Sequence, residues 1–253
     1  MILRAIKMSR NTPRFFQSDG RGRFTAYVEM PTSWQTMTES QLRYVLRLMA
    51  DGRFSQNEVA AFAALRFARL ELRQAKQVDP STLADLFDAA DFIKQMPSIP
   101  VRPDTIGPRT AKTATLQEAT LAEYLTAENL YQGYLVSQNK QAAERLADLL
   151  YERGKNEWNA EDKALSATAA LVWFAGLKTY LAATYPRLFR LATEEGGHND
   201  VTPDTLREGM ECIIRTLTGG DVTKREAVLH ASLHAALYEL EQRVREADKL
   251  KKK

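Results

Sequence analysis

The chain has 253 residues, of which 44% are hydrophobic and 26% are charged, and its formal net charge is +3. This composition is close to the average of soluble globular domains, and the length is enough for one large core or two modest ones. No run of about 18 apolar residues is present, which excludes a membrane span. The most apolar stretch, ALSATAALVWFAGL, is about 14 residues long and suits a buried core helix. The single cysteine, Cys212, excludes an internal disulfide. The N-terminus has no apolar core of signal-peptide length, so we expect a cytoplasmic protein.

The charge is distributed unevenly along the chain. Residues 1–23 hold six basic residues and one acidic residue, a local +5, and residues 249–253 add +4. Because the total is +3, residues 24–248 carry −6. Basic ends of this kind either contact nucleic acid or an acidic partner, or are simply solvated termini.

The only strand patterns lie near the N-terminus. Apolar and polar residues alternate in ILRAIK and RFTAYVEM, and the intervening SDGRGR supplies turn glycines. We therefore predict a small β-hairpin arm over residues 1–33.

Helical spacing begins after Pro31. Thr38 with Gln41, and Ser55 with Glu58, are typical of capping boxes, and Gly52 is placed to end the first helix. A second helix is predicted over about 58–75. On it, the basic residues fall at spacings of three or four and would line one face: Arg66, Arg69, Arg73 and Lys76. Such a stripe binds phosphate or an acidic helix, or is the solvated side of an amphipathic helix.

A third helix is predicted over roughly 81–95, with one apolar face formed by Leu83, Leu86, Phe87, Ala90 and Ile93. The next segment, PSIPVRPDTIGPRT, contains four prolines and cannot continue a helix. We interpret residues 34–96 as a helical subdomain and residues 97–114 as a proline-rich linker, either extended or lying as a strap across the surface.

A second helical subdomain is predicted over residues 115–253, opening at Thr115 to Glu118. Its helices are expected at about 119–137, 140–153, 160–183, 203–217 and 223–249, with Gly154 ending the second and Tyr185-Pro186 breaking the third. The predicted fold is mainly α, a multi-helix bundle of about eight helices with a small N-terminal β-hairpin.

The phrase LTGGDVTKREAVL could be a phosphate loop or a turn between helices. It lacks the lysine and the preceding strand that a Walker-type loop requires. Thr223 and Glu226 instead fit a capping box, with Asp221 just before the helix. We predict a helix–turn–helix joint followed by one apolar stripe through Val228, Leu229, Leu233, Leu237, Leu240 and Val244.

Residue types that carry chemistry are sparse. His230 and His234 are four apart, a spacing that can hold zinc on one helix face, but no motif supplies a third ligand. The loop from Glu195 to Asp200, which contains His198, is either a metal-binding loop or a solvated connecting loop. No serine elbow, dinucleotide fingerprint or paired-cysteine motif is present, so we expect a protein that is not an enzyme and has no cofactor or metal.

Tyrosine and leucine recur near helical spacing in one segment: Leu121, Tyr124, Tyr131, Tyr134 and Leu135. Tyrosines next to lysine or arginine stack on unpaired bases, but this segment is neutral to acidic. A protein core or a protein–protein interface is the better interpretation, because tyrosine is enriched in both.

Further phrases carry a family resemblance: PTSWQTMTESQLRYVLRL, TLQEATLAEYLTAENLYQGYL with AERLADLLY, WFAGLKTYLAATYPRLF and RTLTGGDVTKREAVL. Together they cover about half the chain and resemble helical accessory proteins encoded among the tail genes of bacteriophages and prophages, of the tail assembly chaperone type. The resemblance implies a cytoplasmic protein of a bacterial host that binds a tape-measure or tail-tube protein through helical surfaces. Under this hypothesis the tyrosine segment is the partner-binding surface, and Arg66, Arg69 and Arg73 form a second contact.

Two alternatives remain open at the level of sequence. One is a nucleic-acid-associated protein that uses its basic ends, although the acidic body argues against a large footprint. The other is a structural subunit of a virion or secretion particle. A homo-oligomer is compatible with each of these interpretations.

Overall fold

The computed structural model describes residues 2–8, 17–18, 24–152, 157–189 and 203–251. The chain divides into two compact units, Met1–Pro97 and Ser98–Lys253. The protein is mainly helical with a small N-terminal sheet, so the predicted fold class is confirmed.

The N-terminal sheet is antiparallel. Strand β1 (Ile2–Met8) pairs with β3 (Phe24–Met30), with Ile2 opposite Met30 and Met8 opposite Phe24. A two-residue strand, β2 (Gln17–Ser18), pairs with the other edge of β3 and gives the order β1-β3-β2. The predicted pairing of the two alternating segments is therefore correct, and the structure adds a short third strand.

The first two helices of this unit begin at the predicted capping boxes. Helix α1 (Glu39–Asp51) is capped by Thr38, and α2 (Gln56–Phe67) is capped by Ser55. In the first box the Thr38 backbone N–H donates a hydrogen bond to the Gln41 side chain, and in the second the Ser55 backbone N–H donates to the Glu58 side chain. Gly52 ends α1 with a φ of 67°, a left-handed conformation that glycine adopts at little cost.

The prediction of one helix over 58–75 is wrong. Helix α2 ends at Phe67, and a separate four-residue helix, α3 (Leu72–Ala75), follows. Arg69 adopts a φ of 56°, its N–H donates to the Arg66 carbonyl at 3.1 Å, and the Leu70 N–H donates to the Leu65 carbonyl at 2.8 Å. These two bonds form a Schellman motif, which closes the helix with an arginine at the position where glycine is usual.

The helix predicted over 81–95 is also interrupted. Helix α4 (Pro80–Asp88) starts on the Asp79 cap with proline at its first turn, and a 3-10 turn (Asp91–Lys94) follows. The indole N–H of Trp34 donates to the carbonyls of Phe92 at 3.2 Å and Gln95 at 2.8 Å. This side chain therefore satisfies carbonyls that a continued helix would have used itself.

Residues 186–189 of the second unit are helical, and six further helices lie in its described part. They are α5 (Leu121–Ser137), α6 (Lys140–Leu150), α7 (Ala160–Thr184), α8 (Pro203–Thr218), α9 (Arg225–Leu229) and α10 (Leu233–Lys251). Helices α7 and α8 match their predicted spans to within one residue. Gly154 and the segment 195–200 lie outside the described residues, so those predictions stay predictions.

Three predicted boundaries in this unit are corrected. The first helix opens at Thr120, which forms a capping box with Glu123, because Leu116 is left-handed with a φ of 54° and the chain from 113 to 119 is irregular. Helix α6 ends at Leu150 rather than 153, because Tyr151 turns into a β-bridge with Ala111. The helix predicted over 223–249 is broken between α9 and α10.

Residues 98–114, here called the strap, pack against the helices of the second unit. Two short strands, β4 (Thr105–Ile106) and β5 (Arg109–Thr110), pair within it. The indole N–H groups of Trp158 and Trp173 donate to the strap carbonyls of Ile106 at 2.9 Å and Ala114 at 2.7 Å. Two tryptophans thus supply donors to an extended segment in which proline has removed backbone N–H groups.

Arg109, a buried residue of the strap, forms ion pairs with residues outside the strap. Its side chain is 4% exposed, pairs with Asp148 at 2.5 Å and Glu157 at 2.9 Å, and lies 3.8 Å from the centre of the Trp158 ring. A buried guanidinium is stable only when its charge is paired, so this contact holds the strap to α6 and to the chain entering α7.

Helix α7 forms the centre of the second unit. Among its fully buried side chains are Trp173 and Phe174. By length and composition α7 also has the properties of a membrane-spanning segment, but 61% of its most apolar window is buried inside the protein. Burial of this extent fits a core helix, as the sequence predicted.

Gly176 allows the closest approach between the strap and α7. A Cβ at this position would lie 2.6 Å from the carbonyl oxygen of Ile99. We expect Gly176→Ala to lower the free energy of unfolding by about 1–3 kcal/mol, because neither backbone can move without losing strap contacts. Denaturant unfolding followed by circular dichroism measures the change.

Gly133→Ala in α5 is the matched control. A Cβ there meets no atom within 4 Å, so alanine should stabilise the helix by about 0.5–1 kcal/mol. Equal effects of the two substitutions would contradict the tight strap contact.

Candidate functional site

Helix α5 carries the tyrosine segment, and most of that segment lies in the core. Leu121, Tyr124 and Tyr131 are 0%, 5% and 9% exposed. The rings of Tyr124 and Tyr131 lie 5.9 Å and 5.3 Å from that of Phe174 in α7. The two tyrosines hold α5 to α7, and all three side chains are buried and do not present a partner surface in this conformation.

A polar cluster accompanies these tyrosines between the two helices. The Glu128 carboxylate accepts hydrogen bonds from Lys178 at 2.5 Å and from Gln132 at 2.7 Å, while its second oxygen is buried without a partner among the described residues. The Lys178 ammonium lies 5.6 Å from the Tyr131 ring centre. Burial raises the pKa of the Tyr124 and Tyr131 phenols, and the Glu128 charge acts in the same direction, so both remain neutral.

The last turn of α5 is different, because it exposes apolar side chains. Leu135 is 48% exposed and Val136 is 59% exposed, beside the half-buried Tyr134. Gln138 ends the helix with a φ of 53°, and Asn139 caps α6 directly after it. We call Tyr134, Leu135 and Val136 the α5-end surface; of the predicted tyrosine segment, Tyr134 and Leu135 are accessible.

The predicted basic stripe is accessible but does not lie on one helix. Arg66 belongs to the last turn of α2, Arg69 to the left-handed turn after it, and Arg73 to α3. All three are exposed, as is Lys76. The break at Arg69 rotates the chain, so the spacing of three and four residues does not describe the real arrangement.

His230 and His234 are also separated by a helix break. His230 ends α9, whereas His234 is the second residue of α10. One ring nitrogen of His234, Nδ1, lies 3.0 Å from the Tyr185 hydroxyl, and the other, Nε2, lies 2.8 Å from the Thr115 carbonyl. Both nitrogens are thus used in a core contact, and in the described ranges no three His, Cys, Asp or Glu residues are grouped to hold a metal.

The glycine pair in LTGGDVTKREAVL forms a joint between helices, as predicted. Gly219 and Gly220 have φ values of 64° and 84° and follow the end of α8. The N-cap residue is Asp221 rather than the predicted Thr223. The Asp221 carboxylate accepts hydrogen bonds from the Thr223 hydroxyl at 2.6 Å and from the Thr223 N–H at 3.0 Å. These hydrogen bonds lower the pKa of Asp221. Arg243 of α10 donates to the last carbonyls of α8, at Thr216 and Leu217.

Comparison of the chain with protein families, with curated proteins and with solved structures found no match. The arrangement of the side chains alone therefore defines the candidate sites. They are the α5-end surface in the second unit and the exposed cations of residues 66–76 in the first. Sequence reasoning missed Val136, although its position beside Leu135, just before the polar residues 137–139, was a usable signal.

Lys178 should be important for stability because it pairs with a carboxylate that has little access to water. We expect Lys178→Met to lower the free energy of unfolding by about 1–3 kcal/mol, since Glu128 would keep one donor only. Thermal or denaturant unfolding measures the loss.

Lys163→Met is the control, because the Lys163–Glu144 pair, at 2.9 Å, is open to solvent. It should change stability little. Adding Glu128→Gln to Lys178→Met should recover part of the loss; no recovery would show that the buried charge is not its cause.

Proposed function

We propose that this protein is a non-enzymatic accessory protein of phage or prophage tail assembly, chaperone-like in action. It would bind a tape-measure or tail-tube protein through helical surfaces. The α5-end surface carries the proposal, because it places adjacent exposed Leu135 and Val136 at the end of a helix whose earlier turns bury Leu121, Leu125 and Tyr131. The phrases that resemble tail assembly chaperones, which include most of α5, supply the class of partner.

The chemistry of the surface suits an apolar helix of a partner. Full burial of a leucine or valine side chain contributes roughly 1.5–3 kcal/mol. Because Leu135 and Val136 are about half exposed, covering both supplies about that amount in total, a useful part of a moderate affinity. Tyr134 beside them adds an aromatic ring with a polar tip, which is typical of protein interfaces. Binding by a few anchors is reversible, as a protein that keeps its partner soluble during assembly requires.

The rigid support of the surface also favours recognition. Tyr131, one turn before Leu135, packs on Phe174, so the last turn of α5 is fixed by the core. Asn139 caps the next helix immediately after the turn. A fixed surface loses less conformational entropy when a partner binds.

The test compares the wild-type chain with the double variant Leu135→Ser/Val136→Ser as bait in cells of the native host, using cross-linking and mass spectrometry. We expect the wild type to recover the tape-measure or tail-tube protein at moderate salt, with cross-links near α5. The double variant should lose most of this recovery while its unfolding temperature stays close to that of the wild type, because both side chains are largely exposed.

Val222→Ser is the matched control, because Val222 is 82% exposed and lies elsewhere in the sequence. It should bind as the wild type does. Recovery of mainly nucleic acid, lost as salt rises, would favour the nucleic-acid alternative. Unchanged recovery of the same protein by the double variant would contradict the role of the α5-end surface.

A further inference from the structure

The second candidate site, in the first unit, concentrates exposed positive charge. Residues 66–76 contain four basic residues and one acidic residue. Arg73 pairs with that acid, Glu71, at 2.6 Å. Arg69 and Lys76 have no carboxylate within 4.0 Å in the described part of the chain, and Arg66 lies over the Tyr44 ring at 5.6 Å. This local excess of charge can pair with an anionic partner without breaking an internal ion pair.

Two other cations in the described part of this unit are paired. Arg53 pairs with Asp51 at 2.5 Å, and Lys94 pairs with Asp91 at 2.7 Å. Arg69 and Lys76 differ from these two cations because no carboxylate of the described residues neutralises them.

An apolar side chain lies among these cations. Leu72, the first residue of α3, is 61% exposed; Glu71 and Arg73 flank it in sequence, and the exposed Arg69 and Lys76 lie three and four positions away. Phosphate groups need cations but gain nothing from an exposed leucine. An amphipathic protein segment that carries carboxylates uses both.

Arg69 occupies a backbone position that favours glycine. It is left-handed, with a φ of 56°, at the residue that closes α2. Glycine would adopt this conformation at lower cost, so the arginine side chain is present at the expense of stability. Retention of a charged side chain at a strained position is consistent with a use for its charge.

We infer that Arg66, Arg69, Leu72 and Lys76 form a docking site for an acidic, amphipathic helical segment of a protein partner. Carboxylates of that segment pair with the three cations, and its apolar side covers Leu72. The site is distinct in sequence from the α5-end surface and belongs to the other compact unit. It extends the proposed function by giving the charge of a second partner segment.

The experiment measures binding of fluorescent synthetic peptides to the full-length chain by anisotropy, at low and moderate salt. The probe is a helical peptide with leucine at helical spacing and glutamate on the remaining face. A second peptide carries lysine in place of glutamate, and a DNA oligonucleotide, tested single-stranded and as a duplex, is the third probe. We expect the glutamate peptide to bind and the lysine peptide to fail, with affinity falling as salt rises.

Arg66→Glu with Lys76→Glu should weaken binding of the glutamate peptide about tenfold or more, because each removes an attraction and adds a repulsion. Lys140→Glu with Arg145→Glu, two exposed cations of α6, is the control and should leave the affinity unchanged. Leu72→Ser should weaken binding several-fold while the unfolding temperature stays near that of the wild type.

Arg69→Gly separates binding from stability. It should raise the unfolding temperature, because glycine relieves the left-handed position, and at the same time weaken peptide binding. A purely structural role for Arg69 would leave binding unchanged and overturn its part in the site.

Further outcomes would overturn the inference as a whole: no binding of the glutamate peptide, equal binding of the lysine peptide, equal loss with the α6 control, or tighter binding of DNA at the same residues. The last outcome would identify a nucleic-acid surface instead. Leu135→Ser/Val136→Ser should keep peptide binding, so failure of the α5-end surface and failure of this site are distinguished.

Discussion

The strap of the second unit depends on side-chain donors to backbone carbonyls. Prolines at 100, 103 and 108 prevent a helix in this segment and remove backbone N–H groups, so an ordinary strand ladder cannot satisfy it. Trp158 and Trp173 supply indole N–H groups to Ile106 and Ala114 at 2.9 Å and 2.7 Å. Because Trp173 is also fully buried in α7, one side chain both fills the core and fixes the strap. A buried carbonyl without such a donor would cost about as much as a lost hydrogen bond.

Other aromatic side chains among the described residues also make internal contacts. Trp34 serves two carbonyls at the end of the first unit, and Tyr124 and Tyr131 pack on Phe174. Aromatic residues that a sequence pattern leaves equally suited to a core or an interface are in this chain used mainly internally. The large apolar side chains that remain exposed among the described residues lie at scattered places in the sequence, for example Leu72 in the first unit and the adjacent pair Leu135 and Val136 in the second. Both proposals therefore use small apolar anchors and charge.

Sequence reasoning predicted the helices well where an N-cap residue marks the start of the helix. Thr38 and Ser55 form the expected boxes, and the apolar run of α7 is the expected core helix. It failed where a helix or turn depends on a left-handed residue other than glycine. Arg69 and Leu116 both adopt positive φ, and neither residue type signals a chain reversal. The turn at Arg69 is closed by local backbone bonds, whereas the chain just after Leu116 is held by a tertiary contact, the bond from the Leu233 N–H to the Ala119 carbonyl at 2.9 Å, which a local pattern does not contain.

The candidate sites were predictable only in part, because a sequence pattern does not show how each side chain is packed. Exposure of Arg66, Arg69 and Arg73 followed from their charge, but their common helix face did not survive the break at Arg69. Burial of Tyr124 and Tyr131 could not be separated from an interface role, because tyrosine suits both and the facing residue, Phe174, is more than forty positions away. Spacing along a helix shows which side chains share a face; only packing shows whether that face is already covered. Among the described residues, packing leaves side chains exposed at the end of α5 and at the turn after α2, and these are the places where the two proposals put a partner.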